Sequence, residues 1–222
     1  MMYCGLSKKC RCQTCQMMKC RKTQISPRIV RQVFKYSKKI RNSMGSNNSV
    51  CVGIDDVAIH FPRLYMDMKD FADLRGEDYG KLNKGLGLKA MSIPDVHEDT
   101  ATMGANAVMK LIDRNGLNPR NIGRMYLGTE SALDGAKPTA TYIVDMLTQR
   151  YSERYGADCF RNCDVVDMTF ACIGAVDAMH NTLDWVARST DEDERIGIVI
   201  FSDNAKYALE SAGEYTQGAG GG

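Results

Sequence analysis

Apolar and polar positions between residues 50 and 222 follow two spacings, and the changes from one to the other divide the chain into elements. Residues 52–61, "VGIDDVAIHF", read as a strand. "DMKDFADLRG" is a short helix ending at Gly76, and "EDYGKLNKGLGLKAMSIPDVHED" is a Gly- and Lys-punctuated loop with room for a short helical piece. "DTATMGANAVMKLIDRNG" sets Ala101, Gly104, Ala105, Val108, Leu111 and Ile112 on one stripe and stops at Gly116, a helix with a marked end. Its small residues predict close approach to another backbone. "RMYLGTE" is a short strand, and "KPTATYIVDMLTQRY" a helix with Pro138 in its first turn. "CDVVDMTF" is a strand, "CIGAVDAMHNTLDWVARS" a helix, and "RIGIVIFSD" a strand after the acidic loop "TDEDE".

Strands alternating with helices predict crossover units, an α/β fold and a largely parallel sheet. The run "IGIVIF" is apolar on both faces, as a central strand requires. In such sheets ligands lie beyond the carboxyl ends of the strands. Two reactive side chains fall there: Glu130 after "RMYLGT" and Cys172 after "DVVDMTF". Cys172 also opens a helix, whose free N–H groups favour an anion and lower a thiol pKa. The same donors could hold the oxyanion of a thioester's tetrahedral intermediate. The plainer alternatives are a small buried hydrophobe for Cys172, and for Glu130 a helix-capping carboxylate or a partner of Lys137.

Charge separates the body from what precedes it. Of the 29 Lys and Arg, twelve fall in residues 1–49, which hold no acidic residue; the remaining 17 face all 27 Asp and Glu, a balance of −10. Five of the nine cysteines also lie in the first twenty residues. "CRCQTCQMMKC" contains one C-x-x-C, Cys12 to Cys15, without a second pair or a nearby histidine, so a zinc site is not expected. Ile29, Val33, Tyr36 and Ile40 have helical spacing among basic residues. Such a helix could lie on an anionic membrane, direct import or contact phosphates. The reading adopted is different: residues 1–49 are a disordered basic arm, or Met44 opens "MGSNNSVCVGIDDVAI" as a natural start and residues 1–43 precede the working protein. No nucleic-acid partner is expected. No apolar run is long enough to span a membrane, no secretory signal is visible, and irregularly spaced cysteines fit a reduced cytoplasmic setting.

The three histidines offer no obvious base. His60 ends the first strand and His97 lies in a loop. His180 sits eight residues along the helix from Cys172, roughly 12 Å down the axis at a 1.5 Å rise. No P-loop, H-E-x-x-H or strand-coupled G-x-G-x-x-G occurs.

"GTESALDGAKPTATYI", "DMTFACIGAVDAM" and "SDNAKYALESAGEYTQGAG" together resemble hydroxymethylglutaryl-CoA synthase, of the thiolase-like superfamily, and look most like its bacterial form. The resemblance runs from about Val52 to Ala219 and omits the arm. It implies one half of a duplicated five-layer fold, with residues 50–222 as an N-terminal thiolase-like domain. It implies Cys172 as the nucleophile that takes acetyl from acetyl-CoA, and Glu130 as the general acid/base for condensation with acetoacetyl-CoA. No metal or cofactor beyond the CoA thioesters is implied, and the family typically dimerises. The family's catalytic histidine, part of its oxyanion hole and many CoA contacts lie in a second half, so the 222-residue chain alone is expected to be an aggregation-prone fragment, inactive in steady turnover of acetyl-CoA plus acetoacetyl-CoA. The alternatives are a ketoacyl-synthase-III-like condensing enzyme, which the glutamate in "GTES" argues against, and a non-catalytic half-domain that pairs with another chain.

Overall fold

In the computed structural model the chain is described over residues 52–170, 173–188, 195–204 and 206–222. The arm, with its expected helix and Cys12–Cys15, and Cys172 itself lie outside the described residues.

A four-stranded sheet forms the centre, in the order β4 (Asp164–Met168), β3 (Ile122–Gly128), β5 (Ile196–Asp203), β6 (Gly220–Gly221). The pairs β3–β4 and β3–β5 are parallel, as the alternation of elements predicts, and β5–β6 is antiparallel. On one face lie α2 (Thr100–Asn115) and α3 (Thr139–Tyr155). Ala101, Ala105, Val108 and Ile112 of α2 meet Ile143 and Leu147 of α3 over Met125, Leu127, Ile198 and Ile200 of the sheet. On the other face lies α4 (Ile173–Ala187), which turns Gly174, Ala178 and Thr182 inward at intervals of four.

The ends of these helices follow from local chemistry. Asp99 and Thr102 form a reciprocal capping box at the start of α2, and Gly116 closes it at φ 60°, a conformation that favours glycine. Pro138 is the residue before the first turn of α3 rather than inside it and carries no side-chain cap. Asp167 of β4 reaches across instead and accepts from the N–H groups of Thr139 and Ala140. The small residues of α2 do admit a neighbouring backbone: a Cβ on Gly221 would stand 2.8 Å from the Met103 carbonyl carbon.

Two expectations need correction. Residues 52–61 form no strand; they make a single bridge, His60 to Gly221. A ladder needs a partner of matching length, and the neighbouring β6 has two residues. Side chains of α2 hold the segment instead: Arg114 donates to Asp56 and to the Val57 carbonyl, and Lys110 to the Ile59 carbonyl. The loop following the first helix, α1 (Met68–Arg75), also contains a strand, β2 (Ala90–Ile93), antiparallel to β1 (Leu64–Asp67). β1 and β2 make a separate two-stranded layer whose neighbouring core is Met68, Phe71, Ala72 and Leu82. The helical piece expected in that loop is a π-helical turn, Lys81–Gly85.

Candidate active site

The carboxyl ends of β3 and β5 lie side by side, with Gly128 paired to Phe201. The chain leaving β3 is therefore within reach of Asp203, the last residue of β5. One oxygen of Asp203 accepts three hydrogen bonds at 2.8 Å: from the Thr129 hydroxyl, the Glu130 N–H and the Ser131 hydroxyl. The Thr100 hydroxyl donates to the Ser131 carbonyl at 2.9 Å, and the Ser202 hydroxyl donates to the Thr100 carbonyl at 2.7 Å. The backbone of "GTES" is thus clamped between the end of β5 and the first turn of α2.

This clamp aims the Glu130 side chain outward, where its carboxylate accepts from the Tyr207 hydroxyl at 2.8 Å. Neither plainer alternative for Glu130 holds. Its carboxylate does not cap α3, where Asp167 takes the first N–H groups, and Lys137 instead places its ammonium 3.9 Å from the centre of the Tyr142 ring. Tyr207 is 38% exposed, so the pair lies at the surface of the described chain.

The first turn of α4 comes to the same strand end. A Cβ on Gly128 would lie 2.1 Å from the Ala175 nitrogen, and one on Gly174 would lie 2.3 Å from the Met168 carbonyl oxygen. Only glycine at both positions lets the helix start rest directly on β3 and β4. The Gly174 N–H donates to the Phe170 carbonyl at 3.0 Å. Ile173 and Val176 turn the opposite side of this helix to solvent, with Phe170 just before it, at 42%, 48% and 69% exposure.

Asp203 also borders a cleft of about 400 Å³ between the β1–β2 layer and the end of the sheet, lined by Phe61, Met68, Met91, Phe201 and Ser202. Its walls are apolar apart from Ser92, Ser202, Asp203 and Thr216.

The other titratable groups stand apart. His60 Nε2 lies 3.2 Å from Glu98, His97 is exposed near Asp95, and His180 is exposed on α4. Burial pushes the Cys159 thiol up and that of Cys163 to about 12, so both stay protonated at neutral pH. Among the described residues no group of three His, Cys, Asp or Glu could hold a metal ion. No described helix is long and apolar enough to cross a membrane.

Asp203 and Tyr207 escaped the sequence reading as site residues, although both stand in the quoted "SDNAKYALESAGEYTQGAG". A signal for Asp203 was present: it is a third titratable group at a strand's carboxyl end. Nothing local marks Tyr207, whose contact is 77 residues distant in sequence.

A parallel sheet between helices, with a carboxylate at one strand end and a glycine-opened helix on the next, is the arrangement of a thiolase-like protein. The chain belongs to the hydroxymethylglutaryl-coenzyme A synthase family, whose N-terminal model matches residues 48–222. Hydroxymethylglutaryl-CoA synthase of Haloferax volcanii is 43% identical over 170 residues, which is 76% of this chain and 37% of that protein. The cytoplasmic hydroxymethylglutaryl-CoA synthase of Gallus gallus is 34% identical over 169 residues, 76% of this chain and 30% of that protein. Among solved structures, MvaS in complex with 3-hydroxy-3-methylglutaryl coenzyme A superposes with a TM-score of 0.65 at 32% identity, over 77% of this chain and 38% of that one. An HMG-CoA synthase complexed with CoA gives 0.64 at 31% identity, over 76% and 40%. The chain thus spans between a third and two fifths of most of the relatives it resembles.

Proposed function

We propose that this chain carries the acyl-transfer centre of a hydroxymethylglutaryl-CoA synthase, with Cys172 as nucleophile and Glu130 as general acid/base. The observation that carries the reading is the contact of Gly128 with Gly174 and Ala175. It seats the first turn of α4, which follows Cys172 in sequence, on the strand that leads two residues later to Glu130. In this reading residues 50–222 are the N-terminal thiolase-like domain, and residues 1–49 are an appended arm without part in the chemistry.

The thiolate of Cys172 attacks the acetyl carbonyl of acetyl-CoA. The C–S bond to CoA breaks, CoA leaves as the thiol after taking a proton, and an acetyl thioester remains on the protein. Free N–H groups at the start of a helix favour both the thiolate and the oxyanion of the tetrahedral intermediate. Glu130 then takes a proton from the acetyl methyl group, made acidic by the thioester. The resulting enolate carbon attacks the keto carbon of acetoacetyl-CoA, the keto C=O π bond opens, and Glu130 as general acid returns the proton to that oxygen, leaving the tertiary hydroxyl. Water cleaves the thioester, releasing hydroxymethylglutaryl-CoA, a precursor of mevalonate, and regenerating the thiol. Asp203 holds the Glu130 backbone and Tyr207 its carboxylate, so the base is presented in one orientation. CoA thioesters are the substrates proposed, and no metal or redox cofactor enters these steps.

We further propose a cytoplasmic homodimer. Among the described residues β4 pairs only with β3, and its other edge would take a strand from a second copy. The half-reaction is the direct test. Incubation with acetyl-CoA followed by mass spectrometry should place one acetyl group on Cys172, lost in Cys172→Ser and retained in Glu130→Gln. Acetyl on another residue, or none on the folded chain, would sink the assignment.

A further inference from the structure

Behind Tyr207 lies a set of contacts that the proposed reaction does not use. The Tyr207 ring rests on Gly213, where a Cβ would stand 2.3 Å from its Cδ1. Gly213 belongs to a single helical turn, α5 (Ala212–Thr216). The next residue, Glu214, works in two directions. One carboxylate oxygen accepts from the Glu210 N–H, and the other pairs with the guanidinium of Arg75, the last residue of α1. Glu210 has φ 61°, a left-handed conformation that a non-glycine residue holds only when its surroundings fix it.

The pair is anchored on the α1 side as well. Arg75 sits 5.8 Å from the centre of the Phe71 ring, and Phe71 meets Tyr215 edge to face at 5.9 Å. The Arg75 and Glu214 side chains are 27% and 17% exposed, enough to lose most of their hydration. A half-buried ion pair contributes little net stability, because desolvation offsets attraction, but it does select one arrangement of the segments it joins.

We propose that Arg75 and Glu214 form a latch that positions the catalytic base. By tying α5 to α1 and fixing the turn at Glu210, they hold Gly213 under the Tyr207 ring, and Tyr207 thereby holds the Glu130 carboxylate. Both are positioning residues, since neither touches Glu130. The inference rests on Glu130 being the base of the proposed synthase, but its test does not require turnover.

The full chain, labelled with ¹³C in its Glu side chains, reports the Tyr207–Glu130 hydrogen bond through the Glu130 Cδ resonance. Tyr207→Phe marks the position of that resonance when the bond is absent. Arg75→Ala and Glu214→Ala should each move it to the Tyr207→Phe position. Each should also speed amide exchange over residues 206–217 roughly tenfold or more, the change expected on losing a charge-assisted contact. Exchange in β3 and β5 should be unchanged. Arg75→Lys, which keeps the cation, should keep the wild-type resonance. A wild-type Glu130 signal in either folded alanine variant overturns the latch. So does global unfolding in both, which would make the pair a general fold element. If the resonances move as stated while Cys172 takes no acetyl group, the synthase reading fails and the latch stands; the reverse result separates them the other way.

Discussion

Asp203 accepts a hydrogen bond from the backbone N–H of Glu130 at 2.8 Å, so the residue that ends β5 fixes the backbone from which the proposed base projects. The same oxygen takes the hydroxyls of Thr129 and Ser131, and the Thr129 side chain is buried. Removing the acceptor strands three donors in a partly closed site. Asp203→Ala is expected to cost about 1–3 kcal/mol of stability, and Asp203→Asn, which keeps one carbonyl oxygen, less. Urea unfolding measures the cost. Amide exchange should localise the loosening to Thr129–Ser131, and equal exchange there in wild type and alanine variant would contradict the clamp.

Gly128 and Gly135 provide a paired test of the helix-on-strand contact. A Cβ at 128 meets the Ala175 backbone, whereas at 135 nothing lies within 4 Å. Gly128→Ala must lift the start of α4 from the sheet, with an expected loss of about 1–3 kcal/mol or more, together with loss of acetylation at Cys172. Gly135→Ala should change stability by less than about 0.5 kcal/mol. Similar thermal melts for the two variants would show that the close approach is unimportant.

Much of the architecture is legible in the chain because burial imposes a period. The α2 stripe Ala101–Ile112, its stop at Gly116 and the two-faced apolar run of β5 each carry their own signature. What the sequence hides is pairing. "VGIDDVAIHF" has strand propensity, but a strand exists only against a partner, and its neighbour is the two-residue β6. β2 has the opposite problem: "AMSI" is four residues long, set among glycines and lysines, and becomes a strand only because Leu64–Asp67 lies beside it. The site divides in the same way. Glu130 is visible because it ends a recognisable strand, but its partner Tyr207 lies beyond β5 and is brought in by the fold alone. Cys172, the other sequence-level candidate, lies outside the described residues, so its side of the constellation rests on Gly174, two residues later in sequence, and on Gly128, which packs against Gly174 and Ala175.

Tyr207→Phe removes one hydroxyl from the surface and its bond to Glu130. Stability should stay within about 0.5 kcal/mol of wild type, since the ring and its seat on Gly213 remain. The proposed enolisation should slow roughly tenfold through poorer alignment of the base. Exchange of the acetyl methyl protons with deuterated solvent on the acetylated chain isolates that step. An unchanged exchange rate would remove Tyr207 from the positioning of Glu130.

Glu98 sets an acid limb on the stability of the region between α2 and residues 59–61. The Asp95 N–H, donating at 3.0 Å, holds its carboxyl below the ordinary value of 4.5; burial opposes this, and His60 at 3.2 Å adds to it. A carboxyl lowered in the folded state is ionised there over a range in which the unfolded chain already binds a proton. The stability it contributes is therefore fully present above the unfolded value and is lost as pH falls through the lower, folded one. Acid unfolding of the wild type should steepen below about pH 4.5, the ordinary carboxyl value. Glu98→Gln should be less stable than wild type at neutral pH and should show a flatter acid limb, so that the two curves converge on acidification. Urea midpoints between pH 3 and pH 7 read both effects, and a constant gap between the curves across that range would show that Glu98 is not the titrating group.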